Sequence, residues 1–202
     1  NNLTNTAFLI YIYVTKGNQM KIKTIVADPP WNERGGGKIK RGADKHYGLM
    51  KVPDIIELMQ KWLDEEEHEE NQHLYLWVTN QFLADGLKVM EALGFTYKTN
   101  VVWYKNSPGI GRYFRGKHEI CLFGVKGRGF AEDLRTESNS VPSAFEAKKR
   151  QHSRKPEEFF TQILQKRSHG PYLEMFARSS RGKDWIVKGN QTDKFDGEKN
   201  AE

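Results

Sequence analysis

A single cysteine, Cys121, occurs in the 202 residues, so no intramolecular disulfide can form and a reducing, cytoplasmic setting suits the chain. The apolar run from Ala7 to Val14 is too short to cross a bilayer. It also lacks the cationic start and small-residue cleavage site of a secretory signal, and no membrane partner is expected. The six histidines are scattered, without the close His, Cys and carboxylate spacing of metal sites, and no metal is expected. Neither a GxGxxG nor a P-loop pattern is present, which argues against a typical dinucleotide or nucleoside triphosphate enzyme. Internal repeats and low-complexity segments are also missing.

What remains is a globular composition, 37% hydrophobic and 12% aromatic, of a size that suits one domain with a substantial core. The net charge of +6 and the sequence pI of about 9.2 favour a polyanionic partner. The charge is uneven. From Lys98 to Lys155 there are 13 Lys and Arg against 5 Asp and Glu, whereas Asp64 to Glu70 carries six carboxylates and no lysine or arginine. The first stretch reads as a nucleic-acid face and the second as a solvated helix end.

Asp28-Pro29-Pro30-Trp31 directly follows the apolar run Ile25-Val26-Ala27. An Asp at the carboxyl end of a buried strand, two rigid prolines and a flat aromatic suit the gripping of a planar amine. The exocyclic nitrogen of adenine is such an amine, and it is a poor nucleophile because its lone pair is delocalised into the ring. Acceptors at the Asp28 carboxylate and the Pro29 carbonyl would localise that pair, with Trp31 stacking on the base. Proline contributes a fixed φ and no competing N–H at Pro29 and Pro30. The competing reading is an ordinary turn after a strand, with a tryptophan that belongs to the core.

Hydrophobic periodicity places strands at Lys21–Ala27, Leu74–Val78, Phe95–Tyr104, Glu119–Val125, Tyr172–Ala177 and Trp185–Val187. Helices are expected over Pro53–Leu63, over Gln81–Leu93 ending at Gly94, and from Pro156 to about Lys166. Asn32 to Gly48 is expected to be a loop. This alternation predicts an α/β fold, a mostly parallel central sheet with helices on both faces, whose ligands bind at the carboxyl ends of the strands. Residues 20–191 form the expected domain. Residues 1–19 read as an N-terminal extension outside it, and residues 192–202 as a polar tail.

These segments together resemble the MT-A-seventy family of adenine-N6 methyltransferases, over Lys21 to Gln191. The pieces are Ala27 to Trp31, Tyr47-Gly48, Leu74 to Thr79, Val102 to Lys105, Gly116 to Glu119 leading into Cys121 to Gly127, His152 to Glu157, Glu174 to Arg178, and Trp185 to Gln191. The resemblance implies a Rossmann-like fold with a permuted motif order and S-adenosylmethionine as methyl donor. It implies that Asp28 approaches both donor and target amine, and that Lys117 pairs with the donor carboxylate. Phe176, Arg178, Asn190 and Gln191 would complete the donor site, Glu174 would either contact the donor or orient Arg178, and Tyr47 would receive the target base. Ser179 and Ser180 stand where the messenger-RNA enzyme has a His-Asn pair. The His-Ser-Arg-Lys-Pro segment and the compact start resemble the short bacterial and phage members, which favours DNA over RNA.

Lys38, Lys40, Arg41, Lys45, Arg112, Arg115 and Arg150 are the expected contacts to nucleic acid, a protein partner or homodimer being a further expectation. Trp77, Trp103 and Trp185 are expected in the core. A base inside a duplex would have to be flipped out to reach the site. Two other readings stand beside DNA methylation: the same chemistry on RNA, and a catalytically silent nucleic-acid-binding subunit.

Overall fold

The computed structural model describes residues 20–32, 48–109, 113–129, 140–151 and 154–196. Seven strands form one sheet: β1 (Ile22–Ala27), β2 (His68–Val78), β3 (Thr96–Lys105), β4 (His118–Lys126), β5 (Ala144–Ala147), β6 (Tyr172–Met175) and β7 (Trp185–Lys188), in the order β5-β3-β4-β2-β1-β6-β7. Only β4 runs against the others. The chain leaves β1 toward β2 on one side and returns to pair β6 on the other. That reversal opens a crevice at the carboxyl end of β1, where Asp28 lies.

Alternation along the strands supplies two cores. Ile25, Leu74, Leu76 and Val78 face one cluster, into which α1 (Val52–Asp64) sends Ile55, Met59 and Leu63, and α2 (Leu83–Ala92) sends Val89 and Met90. Val26, Tyr75 and Trp77 face the other, closed by Phe159, Phe160, Ile163 and Leu164. Their helix, α3, is wound as a π-helix over Phe159–Leu164 and continues as α over Gln165–Arg167. The wider turn lets two consecutive aromatics, Phe159 and Phe160, both be buried. The three-layer α/β architecture expected from the alternation is therefore the one observed. Trp77 and Trp103 are buried as expected, and Trp185 is half-buried.

Two expectations are corrected. The acidic run is not simply a solvated helix end, because Glu69 and Glu70 belong to β2 and Lys188 on β7 pairs with Glu65 and Glu66 at 3.0 and 2.6 Å. An irregularity in the β1–β2 register falls here: Ile22 aligns with His68, but Thr24 already aligns with His73. This bulge carries no hydrophobic alternation, which hid the strand. Similarly β5 lies inside a polar, basic segment, and its four residues show only Phe145 and Ala147 turned inward. The Trp103 indole N–H donates to the Ala147 carbonyl at 3.0 Å and ties that short strand to the edge.

On β2 His73 is buried, with Nδ1 2.7 Å from the Ser168 hydroxyl and Nε2 2.9 Å from the Gly129 carbonyl. Ser168 also meets the Tyr75 hydroxyl at 2.8 Å. Burial lowers the His73 pKa from 6.5 to about 4. The folded state thus keeps a neutral ring where the unfolded chain takes up a proton. Its contribution to stability is complete above pH 6.5 and is lost as the pH falls toward 4, by about 3 kcal/mol. Denaturant titrations across that window should show His73→Gln with a visibly flatter pH dependence than the parent chain. An unchanged slope would assign the acid sensitivity elsewhere.

Candidate active site

Asp28 leaves the end of β1 and immediately meets the two prolines. The Pro29 carbonyl accepts the Trp31 N–H at 2.9 Å, and the Pro30 carbonyl accepts the Met50 N–H at 2.8 Å. The first bond closes a tight three-residue turn that fixes the direction of the Pro29 carbonyl, whose second lone pair still allows an incoming amine. Trp31 does not serve as expected. Its indole N–H donates to the Trp77 carbonyl at 2.9 Å, its ring stacks on Phe82 at 5.5 Å, and only 4% of it is exposed. It is a core residue that anchors the turn, because that face of the sheet offers an apolar pocket and a backbone acceptor together.

The Asp28 carboxylate accepts from Lys155 at 2.6 Å. The same ammonium lies 3.3 Å from Glu119, which in turn accepts from Lys105 at 2.5 Å, and it sits over the Trp77 ring at 5.2 Å. Charges thus alternate along Asp28, Lys155, Glu119 and Lys105. Burial would raise the Glu119 pKa, but the two lysines outweigh it and hold the group down at about 2. For Asp28 the balance is reversed: burial outweighs the Lys155 charge and the pKa is raised. Lys155 belongs to a motif recognised in the sequence but was assigned no role there. Only the return of the chain before α3 brings it to Asp28, 127 positions away.

Two clefts meet at Asp28. The first is open to solvent and is lined by Asp28, Lys155, Glu174, Phe176, Arg178 and Arg181, among others. The second lies between Pro30, Leu58, Trp62, Phe176, Arg178 and Asn190 and has the more room of the two. Asp28, Phe176 and Arg178 belong to both. Phe176 holds this dividing position with a φ of +61°, a left-handed conformation that costs a bulky residue on the order of 1–3 kcal/mol, and its ring meets Trp62 edge-on at 5.0 Å. The sequence carries no signal for that strain. Gly189 is required just before Asn190, since a Cβ there would lie 2.8 Å from the Ala177 carbonyl.

Glu174 is half-buried against Arg181, whose guanidinium pairs with both Glu174 and Glu157. Burial raises the Glu174 pKa despite that partner. Arg181 also lies 3.4 Å from the centre of the Phe160 ring. Arg181 was absent from the sequence-based site, where only Arg178 was expected.

Glu174, Phe176, Arg178 and Asn190 therefore converge on the clefts, whereas Lys117 and Gln191 line neither. The Lys117 ammonium donates to the Tyr104 hydroxyl at 3.0 Å on the exposed end of β4, and Lys155 takes the position beside Asp28. The Gln191 side-chain oxygen accepts from Lys194 at 3.4 Å. Arg115 is exposed, and Arg150 lines a third, open groove together with Arg154 and Arg181. Tyr47, Lys38, Lys40, Arg41, Lys45 and Arg112 lie outside the described residues.

The segment expected to begin a polar tail is also part of the site. Phe195 is buried, lines the first cleft, and donates its N–H to the Arg178 carbonyl at 3.1 Å, while Arg154 lies 5.1 Å over its ring. Asp196 accepts the Ser180 N–H at 2.8 Å. Phe195→Ala should weaken binding of an occupant of the first cleft about tenfold, readable by calorimetry with S-adenosylhomocysteine. A dissociation constant within twofold of the parent would remove Phe195 from the binding wall.

A Rossmann-like α/β sheet, reversed at β1 and carrying an acidic turn and a split, charge-lined crevice at that point, defines the class of S-adenosylmethionine-dependent methyltransferase folds. The chain belongs to the MT-A70 family, whose signature matches residues 22–191. It is 25% identical over 184 residues to the human N(6)-adenosine-methyltransferase catalytic subunit METTL3, an alignment covering 86% of this chain and 28% of that protein. To the N(6)-adenosine-methyltransferase MT-A70-like protein of Arabidopsis thaliana it is 24% identical over 176 residues, 83% of this chain and 23% of that protein. To the Type II methyltransferase M.MunI of Mycoplasma sp it is 25% identical over 180 residues, 79% of this chain and 73% of that protein. The chain thus spans about a quarter of the length of the plant and human relatives.

Proposed function

We propose that this chain transfers a methyl group from S-adenosylmethionine to the N6 amine of adenine in DNA. The observation that carries this reading is the position of Asp28, at the junction of two clefts of different chemistry. The first cleft presents Lys155, Arg178 and Arg181 beside the half-buried carboxyls Asp28 and Glu174, a donor set that fits a zwitterionic amino-acid group. The second has apolar walls from Pro30, Leu58, Trp62 and Phe176 with the Asn190 amide, which fits a nucleoside. Both carboxyls have pKa values raised by burial, so a cationic or hydroxyl-bearing ligand would stabilise their ionised forms.

Lys155 and Arg178 would hold the donor's carboxylate, Asp28 or Glu174 its ammonium, and Asn190 and Arg178 its nucleoside. When bound, the donor supplies an electrophilic methyl on a sulfonium. The chain's own residues do the rest. Asp28 and the Pro29 carbonyl accept the two N–H bonds of the target amine and localise its lone pair toward the methyl group. Trp31, locked in the core, keeps that turn rigid, and Lys155 holds the carboxylate in place while Glu119 retains the lysine. The proton leaves after transfer, when the nitrogen carries positive charge, so no strong base is needed.

DNA is favoured over RNA because the chain resembles the short bacterial and phage members and aligns with nearly three-quarters of M.MunI. Incubation with labelled donor and unmethylated DNA or RNA oligonucleotides, followed by nucleoside analysis, tests the reading. N6-methyldeoxyadenosine is the expected product. Product confined to RNA would replace the substrate, and product on neither would restore the silent-subunit reading.

A further inference from the structure

Tyr113 and Phe114 are 95% and 88% exposed, far more than the other exposed large hydrophobics of the described residues. They sit beyond a closed neck in the β3–β4 connection. The Gly109 N–H donates to the Gly116 carbonyl at 2.8 Å and the Lys105 N–H to the Lys117 carbonyl at 2.7 Å, so the two arms of the connection are held together below the aromatic pair. Cations surround the base of this finger: Arg115 follows the pair, and Lys117 lies 5.2 Å over the Tyr104 ring. Two adjacent aromatics held in water beside a pinned neck bury almost nothing in the fold, which marks an interaction surface.

The finger is joined to the charged chain that ends on the reacting carboxyl. Glu119, five residues after Phe114, shares the Lys155 ammonium with Asp28. Five residues span at most about 17 Å, which bounds the separation of Phe114 from Glu119. Asp28 lines both clefts, and a stacked, paired base cannot present its amine there, so an adenine of duplex DNA must leave its stack, and the gap it leaves is unfavourable unless filled. Flat apolar side chains fill such gaps by wedging between base steps, and neighbouring cations meet the phosphates.

We propose that Tyr113 and Phe114 form a wedge that enters duplex DNA and occupies the space vacated by the target adenine, with Arg115 and Lys117 contacting the flanking phosphates. This rests on the reading of the chain as a DNA adenine methyltransferase. The flanking cations favour a polyanion over an apolar protein surface as the occupant.

The test compares the full chain with Tyr113→Ala/Phe114→Ala on a sequence the parent methylates, as duplex and as the same strand alone. A second duplex carries 2-aminopurine at the target position, and its fluorescence reports extrusion without methyl transfer. The parent should raise that fluorescence. The double variant should lose the rise and about tenfold or more of duplex methylation, while keeping single-strand methylation within about threefold. Tyr113→Phe/Phe114→Trp, which retains flat rings, should restore the duplex signals. Equal losses on both substrates, or none, overturn the wedge alone. Loss of self-association without a change in fluorescence also overturns it and assigns the pair to a protein interface. A parent chain that methylates no DNA removes the underlying reading and the wedge with it.

Discussion

Asp28→Asn is expected to lower methyl transfer by on the order of 10³-fold. The substitution keeps the volume but exchanges an acceptor-only carboxylate for an amide that can present its own N–H groups to the target amine. It also removes the charge that holds Lys155 at 2.6 Å, leaving that ammonium with Glu119 at 3.3 Å. The decrease should appear in single-turnover methyl incorporation, with the far-ultraviolet circular dichroism and melting temperature showing an intact fold. A rate within tenfold of the parent would exclude Asp28 as the group that orients the amine.

The second large effect concerns Lys155. Lys155→Met keeps the apolar stem over Trp77 and removes the charge. Donor affinity should fall about 10- to 100-fold, because a charge-assisted contact to the donor carboxylate disappears from a partly buried site. The pH profile should move as well. In the proposed reaction Asp28 has to be ionised to accept both the donor ammonium and the target amine, and burial already raises its pKa against the lowering influence of Lys155. Without that charge the pKa rises further, so the acid limb of the rate moves to higher pH, and the variant loses activity where the parent is still active. Glu119→Gln should remove one carboxylate partner of Lys155 and raise the donor KM more than it lowers kcat. An acid limb that stays in place in Lys155→Met would show that Lys155 does not set the charge state of Asp28 in the working enzyme.

The residues whose positions were legible in advance share one property: their signal is local. The end of β1 is buried because Ile25, Val26 and Ala27 face two different cores in turn, and their apolar run records that directly. Asp28 stands at its carboxyl end by chain continuity alone. Glu174, Phe176 and Arg178 are placed in the same way by β6, which pairs with β1 so that Met175 aligns with Ala27 and brings both strand ends to one edge. The strained φ of Phe176 and the short strand β5 have no such local record, because one is imposed by the crossing from β6 toward β7 and the other by pairing with β3.

Charge and ring contacts were the least legible. Trp31 looks the same in sequence whether it stacks on a ligand or fills a core; the Trp77 carbonyl and the Phe82 ring, contributed by other segments, decide for the core. Lys117 and Lys155 are both motif lysines, and nothing in their neighbours' identities says which ammonium reaches Asp28. That choice depends on the direction in which β4 starts and on the entry into α3, because an ion pair forms where the backbone delivers two groups within a few ångströms. The amino-acid sequence by itself therefore determined the α/β alternation, the acidic turn after β1 and the family, all written in short contiguous segments. Tertiary structure alone decided the alternating relay Asp28, Lys155, Glu119 and Lys105, the division of the crevice by Phe176, the closure of its wall by Phe195 and the exposure of Tyr113 and Phe114. Each of these depends on distances between residues remote in the chain, or on what packs nearby, and a linear pattern carries neither.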